Sequence, residues 1–452
     1  MKQVNTTAQT RSMTTGSIPR AILLYSIPLI IGNFLQQLYN TMDSLIVGNF
    51  VGREALAAVG SSGVLTFLLI SFCIGASSGA GILIARYYGG EDYNDLDCAV
   101  HTTIALSIVL GVVVTLAGFI LTPLLIRLVG TTEEVTPSAI LYLRIYFLGV
   151  IFNVIYNMAS GILNAVGDSR RSLRYLAIAS VTNIVLDFIF VAVLHMGIAG
   201  AALATDISQL VACVAILHFL IRTDQPYRLF PRKIRLHRKM AISILKLGLP
   251  TAIQNAVIAF SNMLIQAGVN GYGTSAMAGF TAYMKVDGFN ILPIMSFSLA
   301  ATTFTGQNIG AGRFDRVKKG LFTVVAMGLI YTLCMTAMML TFATPIIRMF
   351  TRDPEVVQFG LMALWSLAPY YCLLSLIHGL AGVVRGSGKT MPPMVIILFS
   401  LCLCRIAWIR LAAPMFDSIR GVYLTYPVSF VIGALLMCLY TWKGKWLEIR
   451  TF

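Results

Sequence analysis

The chain has 452 residues, 57% of them hydrophobic and only 11% charged, with a mean hydropathy of +0.82. A soluble domain carries about 25% charged residues, so a water-soluble globular fold is excluded. The formal charge of +15 could suit a nucleic-acid footprint, but Lys and Arg are distributed by loop as in a chain oriented in a bilayer. No nucleic-acid partner is expected.

Apolar stretches recur from Ala21 to Thr441. At about 20 residues per span they predict an all-α, polytopic membrane protein of twelve transmembrane helices. Met1 to Arg20 is polar and lacks the apolar core and small-residue cleavage site of a signal peptide, so helix 1 is the expected targeting signal. The eight cysteines lie in or at the ends of apolar segments and read as small core residues, not as disulfides or a zinc site.

Turn and charge signals separate the spans at about 47–54, 86–97, 122–137, 164–172, 195–200, 222–242, 270–275, 306–319, 343–356, 385–391 and 413–421. The N-terminal tail, alternate loops and the C-terminal tail hold 23 Lys and Arg, among them Lys2, Arg11, Arg450, Lys445 and the run from Arg222 to Lys239. The opposite side holds six: Arg53, Arg127, Arg348, Arg352, Arg410 and Arg420. The basic side marks the cytoplasm, which predicts a multi-pass protein of the plasma (inner) membrane with both termini cytoplasmic.

An internal repeat divides the chain in two. Shifted by 221 residues, Gly52, Ala55 and Ala57 meet Gly273, Ala276 and Ala278, and Gly161, Gly167 and Gly200 meet Gly382, Gly388 and Gly421. At a shift of 222, Pro28, Asn33 and Asn40 meet Pro250, Asn255 and Asn262. The expected organisation is an N-terminal lobe over 1–221 (helices 1–6), a basic cytoplasmic linker over 222–242 and a C-terminal lobe over 243–452 (helices 7–12). Two six-helix, pseudo-symmetric lobes of the same orientation are a transporter architecture.

Of eighteen acidic residues only Asp43, Asp187, Asp206 and Asp287 fall within apolar spans. A charge at the bilayer centre costs about 2.5 to 3.5 kcal/mol on insertion scales, so each needs a partner, a watered cavity or a proton. Helix 1 places Asn33, Gln36, Asn40 and Asp43 on one face, a polar stripe that suits a cavity. Pro28, upstream in the same helix, removes a backbone hydrogen bond and favours a kink. Helix 4 offers Tyr142, Tyr146 and Asn157. Helix 5 sets Asn183 and Asp187 one turn apart, and helix 6 supplies Thr205, Asp206 and Gln209. The positions matching Asp43 and Asp187 in the second half are Ile265 and Trp408, so these acids belong to the first lobe alone.

Such carboxyls could exchange a proton or, with Asn and Thr oxygens, hold Na+ at Asp43, Asp187 and Asn183; the plainer reading is hydrogen-bonded helix glue. Lys285 and Asp287 on helix 8 are candidates for a substrate cavity together with Gln36 and Asn40. Being two residues apart, they do not face each other. His378 and Arg405 are further buried polar candidates.

Two motifs mislead. Gly386-Ser387-Gly388-Lys389-Thr390 resembles the end of a phosphate-binding loop, but Val383 stands where the loop needs Gly and an apolar helix precedes it. The Gly-x-Gly-Asp signature of intramembrane aspartyl proteases is absent. An enzyme is not expected.

Ile27-Pro28, Gln36-Gln37-Leu38-Tyr39-Asn40-Thr41-Met42-Asp43 and Val47-Gly48, followed by Gly52-x-x-Ala55-Leu56-Ala57-Ala58-Val59-Gly60 and by Gly306-Gln307-Asn308-Ile309-Gly310-Ala311-Gly312, resemble the multidrug and toxic compound extrusion (MATE) family over essentially the whole chain. The resemblance implies a two-lobed, V-shaped antiporter, functional as a monomer and without a cofactor. It would export amphipathic, usually cationic, organic compounds in exchange for H+ or Na+ by alternating access. Within the family, Asp43, Tyr142, Asn157, Asn183, Asp187 and Thr205 are similar to the cation-coupling cluster of the DinF-like branch, and Pro28 to its bending proline, the hinge of helix 1. The other main bacterial branch is marked by an acid in helix 7, where this chain has Gln254, Asn255, Asn262 and Gln266. A flippase for a lipid-linked saccharide is the alternative within the superfamily; it would line its cavity with several Arg or Lys, whereas only Lys285 and Arg405 lie deep in the spans. A channel would need no carboxyl switch.

Overall fold

The computed structural model describes residues 13–129, 131–416 and 418–447. Lys2, Arg11 and Arg450 of the basic count lie outside the described residues, and Arg53 and Lys445 are described for their backbone alone. In a bilayer the backbone must satisfy itself, and every long element is a helix. They are α1 (Ile18–Phe50), α2 (Arg53–Gly89), α3 (Tyr93–Val129), α4 (Thr136–Ala165), α5 (Ser169–Asp187), α6 (Gly197–Arg222), α7 (Arg238–Asn270), α8 (Thr274–Gly310) and α9 (Phe314–Thr341). There follow α10 (Ala343–Arg348), α11 (Pro354–Leu367), α12 (Tyr371–Gly386), α13 (Met391–Leu398), α14 (Cys404–Ala407), α15 (Arg420–Tyr423) and α16 (Thr425–Trp442). There is no strand among the described residues.

Short irregular turns join the later helices into rods: α11 with α12 as Pro354–Gly386, α13 with α14 as Met391–Met415, and α15 with α16 as Arg420–Trp442. Among the described residues eleven rods are long and apolar enough to cross a membrane. The twelfth, α8, is as long as α2 at 37 residues, but Lys285, Asp287, Asn290 and a run of Ser and Thr dilute its apolar sequence. The repeat is visible in the backbone. Gly52 and Gly273, 221 residues apart, precede α2 and α8 with φ of 115° and 99° and an extended ψ, a region essentially reserved for glycine.

Packing divides the chain into two compact units. The first contains Ile27–Ala252, with α4 at its centre against α2, α3, α5 and α6. It includes the first part of α7, whose backbone lies directly on α2. A Cβ on Gly79 would fall 2.2 Å from the Ile244 carbonyl oxygen, and one on Gly248 2.4 Å from that of Gly75.

The second unit contains Thr14–Ser26 and Ile253–Phe452. There α8 packs against α9, α11 and α12, and α12 against α16. The start of α1 is fixed within it by Tyr25, whose hydroxyl meets that of Thr303 at 3.1 Å. Arg313 and Arg316 donate to the carbonyls of Thr14 and Gly16 at 2.8 and 2.9 Å. Both changes of unit fall two residues from a helix proline, Pro28 in α1 and Pro250 in α7.

The α2–α7 contact has no room for a methyl group. Gly79→Ala should cost about 1–3 kcal/mol by overpacking and lower the melting temperature of the purified protein. Gly60→Ala, at a position with nothing within 4 Å of the added carbon, should leave it unchanged.

Candidate functional site

In the first unit Asp187 ends α5 and is followed by one π-turn, Phe188–Val193, an irregularity frequent at functional sites. Its side chain is fully buried, and neither carboxyl oxygen has a hydrogen-bond partner. One turn earlier, buried Asn183 donates from Nδ2 to Thr205 Oγ1 at 3.4 Å, tying α5 to α6, while its Oδ1 is unpartnered. Asp43 on α1 is half-buried and also keeps a buried, unpartnered Oδ1.

These groups share one neighbourhood. Asp43 acts electrostatically on Asp187, and both act on the hydroxyls of Tyr142 and Tyr39. Tyr142 is buried and stacked on Tyr146, one turn away, with ring centroids 6.3 Å apart. The ion pairs of the unit lie elsewhere, at Asp97, Asp168 and Asp224; among the described residues no cation stands within 4 Å of Asp43 or Asp187.

An all-oxygen donor set of two carboxyls and an amide carbonyl suits a hard cation, and the same carboxyls can carry a proton. Asn157 is not drawn to the carboxyls by any hydrogen bond: its Nδ2 donates to the carbonyl and Oδ1 of Asn153, both at 2.9 Å, and its own carbonyl accepts from Ser77. On α1, Gln36 and Asn40 are exposed, and Gln36 hydrogen-bonds Tyr39. An apolar recess of about 550 Å³ between α1 and α5, walled by Met42, Leu45, Phe50, Ile184 and Phe188, is lined by neither Asp43 nor Asp187.

The second unit treats its intramembrane acid differently. The Tyr371 hydroxyl donates to Asp287 Oδ1 and meets the Tyr283 hydroxyl at 2.6 Å. Arg405, 3% exposed, acts electrostatically on Asp287 without an ion pair. It donates to Ser429 Oγ at 3.0 Å and to Asn262 Oδ1 at 3.2 Å, and lies 4.5 Å from the Tyr426 ring centre. Lys285 is exposed on α8 and forms no ion pair among the described residues. His378 is buried, and its carbonyl accepts from Ser298. Sequence reasoning missed Tyr39, Tyr283 and Tyr371 as partners of the acids. A tyrosine in an apolar helix gives no sign of which carboxyl, 84 residues away for Tyr371, it will meet.

The MatE family profile matches residues 28–189 and 250–409, one match in each half. The chain is 33% identical over 441 residues to "Probable multidrug resistance protein YpnP" of Bacillus subtilis, covering 97% of this chain and 98% of that protein. It is 25% identical to "FAD transporter" of Shewanella oneidensis, over 91% of this chain and 92% of the relative. A solved structure described as the outward-facing conformation of a multidrug resistance MATE family transporter of the MOP superfamily superposes with a TM-score of 0.90 at 25% identity, covering 97% and 98% of the two chains.

Removing the unpaired acid and removing a donor from the paired one should have opposite effects on stability. Asp187→Asn removes a buried charge that nothing pairs, so its melting temperature should equal or exceed that of the wild type. Tyr371→Phe strips Asp287 of a donor and should cost about 1–3 kcal/mol, read as a lower melting temperature.

Proposed function

The chain belongs to the MatE family of transporters, and from that membership we propose that it is a secondary antiporter. It exports amphipathic, mainly cationic organic compounds in exchange for H+ or Na+. The observation that carries this reading is a pair of unneutralised carboxyls in the first unit, fully buried Asp187 and half-buried Asp43. A group that pays for burial without a partner is poised to take a cation from outside.

The coupling ion occupies Asp43 and Asp187, and as Na+ it is also held by Asn183. Thr205 fixes Asn183 through its hydroxyl, Tyr142 feels both acids electrostatically, and Asn157 supports α4 through Asn153 and Ser77. The ion and the drug prefer opposite-facing states of the protein, and this differential affinity couples their movements. Each net charge moved down about 100 mV supplies roughly 2.3 kcal/mol, a gradient of about fiftyfold for an uncharged substrate; for a monovalent cation exchanged one for one the charges cancel and the concentration gradient of the ion alone drives export. Pro28, next to the point where α1 passes from one unit to the other, is the hinge that converts cation binding into a bend. Gln36, Asn40, Lys285 and Asp287 contribute polar contacts to the substrate path. The protein works as a monomer of two six-helix, pseudo-symmetric lobes in the plasma membrane, with both termini in the cytoplasm.

The test is export of a fluorescent lipophilic cation from proteoliposomes under an imposed pH gradient and, separately, a Na+ gradient. One gradient should drive export in the wild type, and Asp43→Asn should fall to the protein-free rate. Absence of driven export under both gradients overturns the reading. Pro28→Ala should retain substrate binding and slow export at least tenfold; an unchanged rate removes the hinge.

A further inference from the structure

Asp206 on α6 is a third carboxyl in the first unit. Its Cγ lies where a side chain at position 149 of α4 would be: a Cβ built on Gly149 would stand 2.0 Å from it. Only glycine at 149 lets the carboxyl rest on the α4 backbone, with which it interacts. Asp206 is half-buried and follows Thr205, the residue that ties Asn183 to α6.

The groups around Asp206 supply no countercharge. From α4 the titratable neighbours are Tyr142 and Tyr146, on both of which Asp206 acts electrostatically. Tyr142 is shared with Asp187 at the end of α5 and with Asp43 on α1. The cation of α4, Arg144, lies over the Phe119 ring at 5.3 Å. Those of α5, Arg170, Arg171 and Arg174, stand at its opposite end from Asp187. None forms an ion pair with Asp206 among the described residues.

Two further observations point to a ligand. Gln209, one turn along α6 and 5% exposed, keeps Oε1 without a hydrogen-bond partner, as fully buried Asp187 does both its oxygens. Tyr142 feels all three carboxyls electrostatically, none of the three has a Lys or Arg within 4 Å among the described residues, and three carboxylates exceed what a single monovalent ion would neutralise.

We propose that Asp206 is a further cation-binding residue of this pocket, taking a second monovalent cation in each transport cycle. This rests on the antiport reading above. Asp43 and Asp187 take the cation without which nothing moves, and Asp206 sets how steep a substrate gradient the protein sustains.

The experiment is a reversal measurement in proteoliposomes clamped at zero voltage. For each imposed ion gradient, pH and Na+ in separate arms, it finds the gradient of fluorescent lipophilic cation at which net flux vanishes. On logarithmic axes the slope is the number of cations exchanged per substrate. Asp206→Asn should remain an active exporter with a slope lower by one than that of the wild type, in the arm that drives transport. The same slope in both proteins overturns the proposal, as does complete loss of transport in folded Asp206→Asn. If the Asn variant does not purify as folded protein, Gly149→Ala, which keeps Asp206 in the sequence but displaces its carboxyl from the α4 backbone, is read by the same slope and should lower it by one; an unchanged slope overturns the proposal. Absence of gradient-driven flux in the wild type overturns the antiport reading together with this one. Driven flux that Asp43→Asn abolishes, with a slope unmoved in Asp206→Asn, overturns only the role of Asp206.

Discussion

A carboxylate taken out of water costs several kcal/mol unless a positive charge or hydrogen-bond donors answer it, and in a membrane-spanning bundle there is little water to share the burden. The two units meet this constraint in opposite ways. In the second, Asp287 is held by Tyr371 and feels the charge of Arg405, so the need is met by the protein's own groups. In the first, Asp43 and Asp187 have unpartnered oxygens and no cation beside them. The duplicated scaffold thus contains one acid that the protein's own groups satisfy and two with oxygens that those groups leave unanswered.

Much of this was legible in the sequence. The helices follow from hydropathy, and the duplication from glycines at a fixed spacing, which mark backbone conformations that other residues resist; Gly52 and Gly273 have that conformation. Asp43, Asp187 and Asn183 could be picked out because charge and amide groups are rare in apolar spans, and helical spacing fixes which residues share a face. Two kinds of information lay beyond reach. Partnerships between helices, such as Tyr371 with Asp287 or Asn183 with Thr205, depend on how rods are rotated against one another, which no single helix encodes. The passage of α1 and α7 from one unit to the other at Pro28 and Pro250 is equally silent, because a proline announces a possible bend but not what packs on either side of it.

Contacts also differ in kind between the interior of the first unit and the surroundings of Asp43 and Asp187. Where α2 meets the start of α7, backbone touches backbone through Gly75, Gly79 and Gly248, leaving no side chain free to change rotamer. Around Asp43 and Asp187 the neighbours are hydroxyls and amides, whose hydrogen bonds can be exchanged at small cost. A rigid seam and an adaptable pocket in the same unit allow a local change of charge without loss of the fold.

The π-turn after Asp187 bears on how this helix tolerates changes in length. An α-helix turns through about 100° per residue, whereas Phe188–Val193 accommodates one residue more than an α-turn would. A helical wheel drawn at a constant 100° per residue through the whole of helix 5 therefore misplaces its C-terminal end. A single-residue deletion within the turn would be absorbed as regular helix, leaving Asp187 in the same orientation relative to the segment beyond it. The same deletion in α4 would instead rotate Tyr142 and its neighbours out of the core. Helix 5 thus carries a spare residue at the point where its charged side chain is aimed.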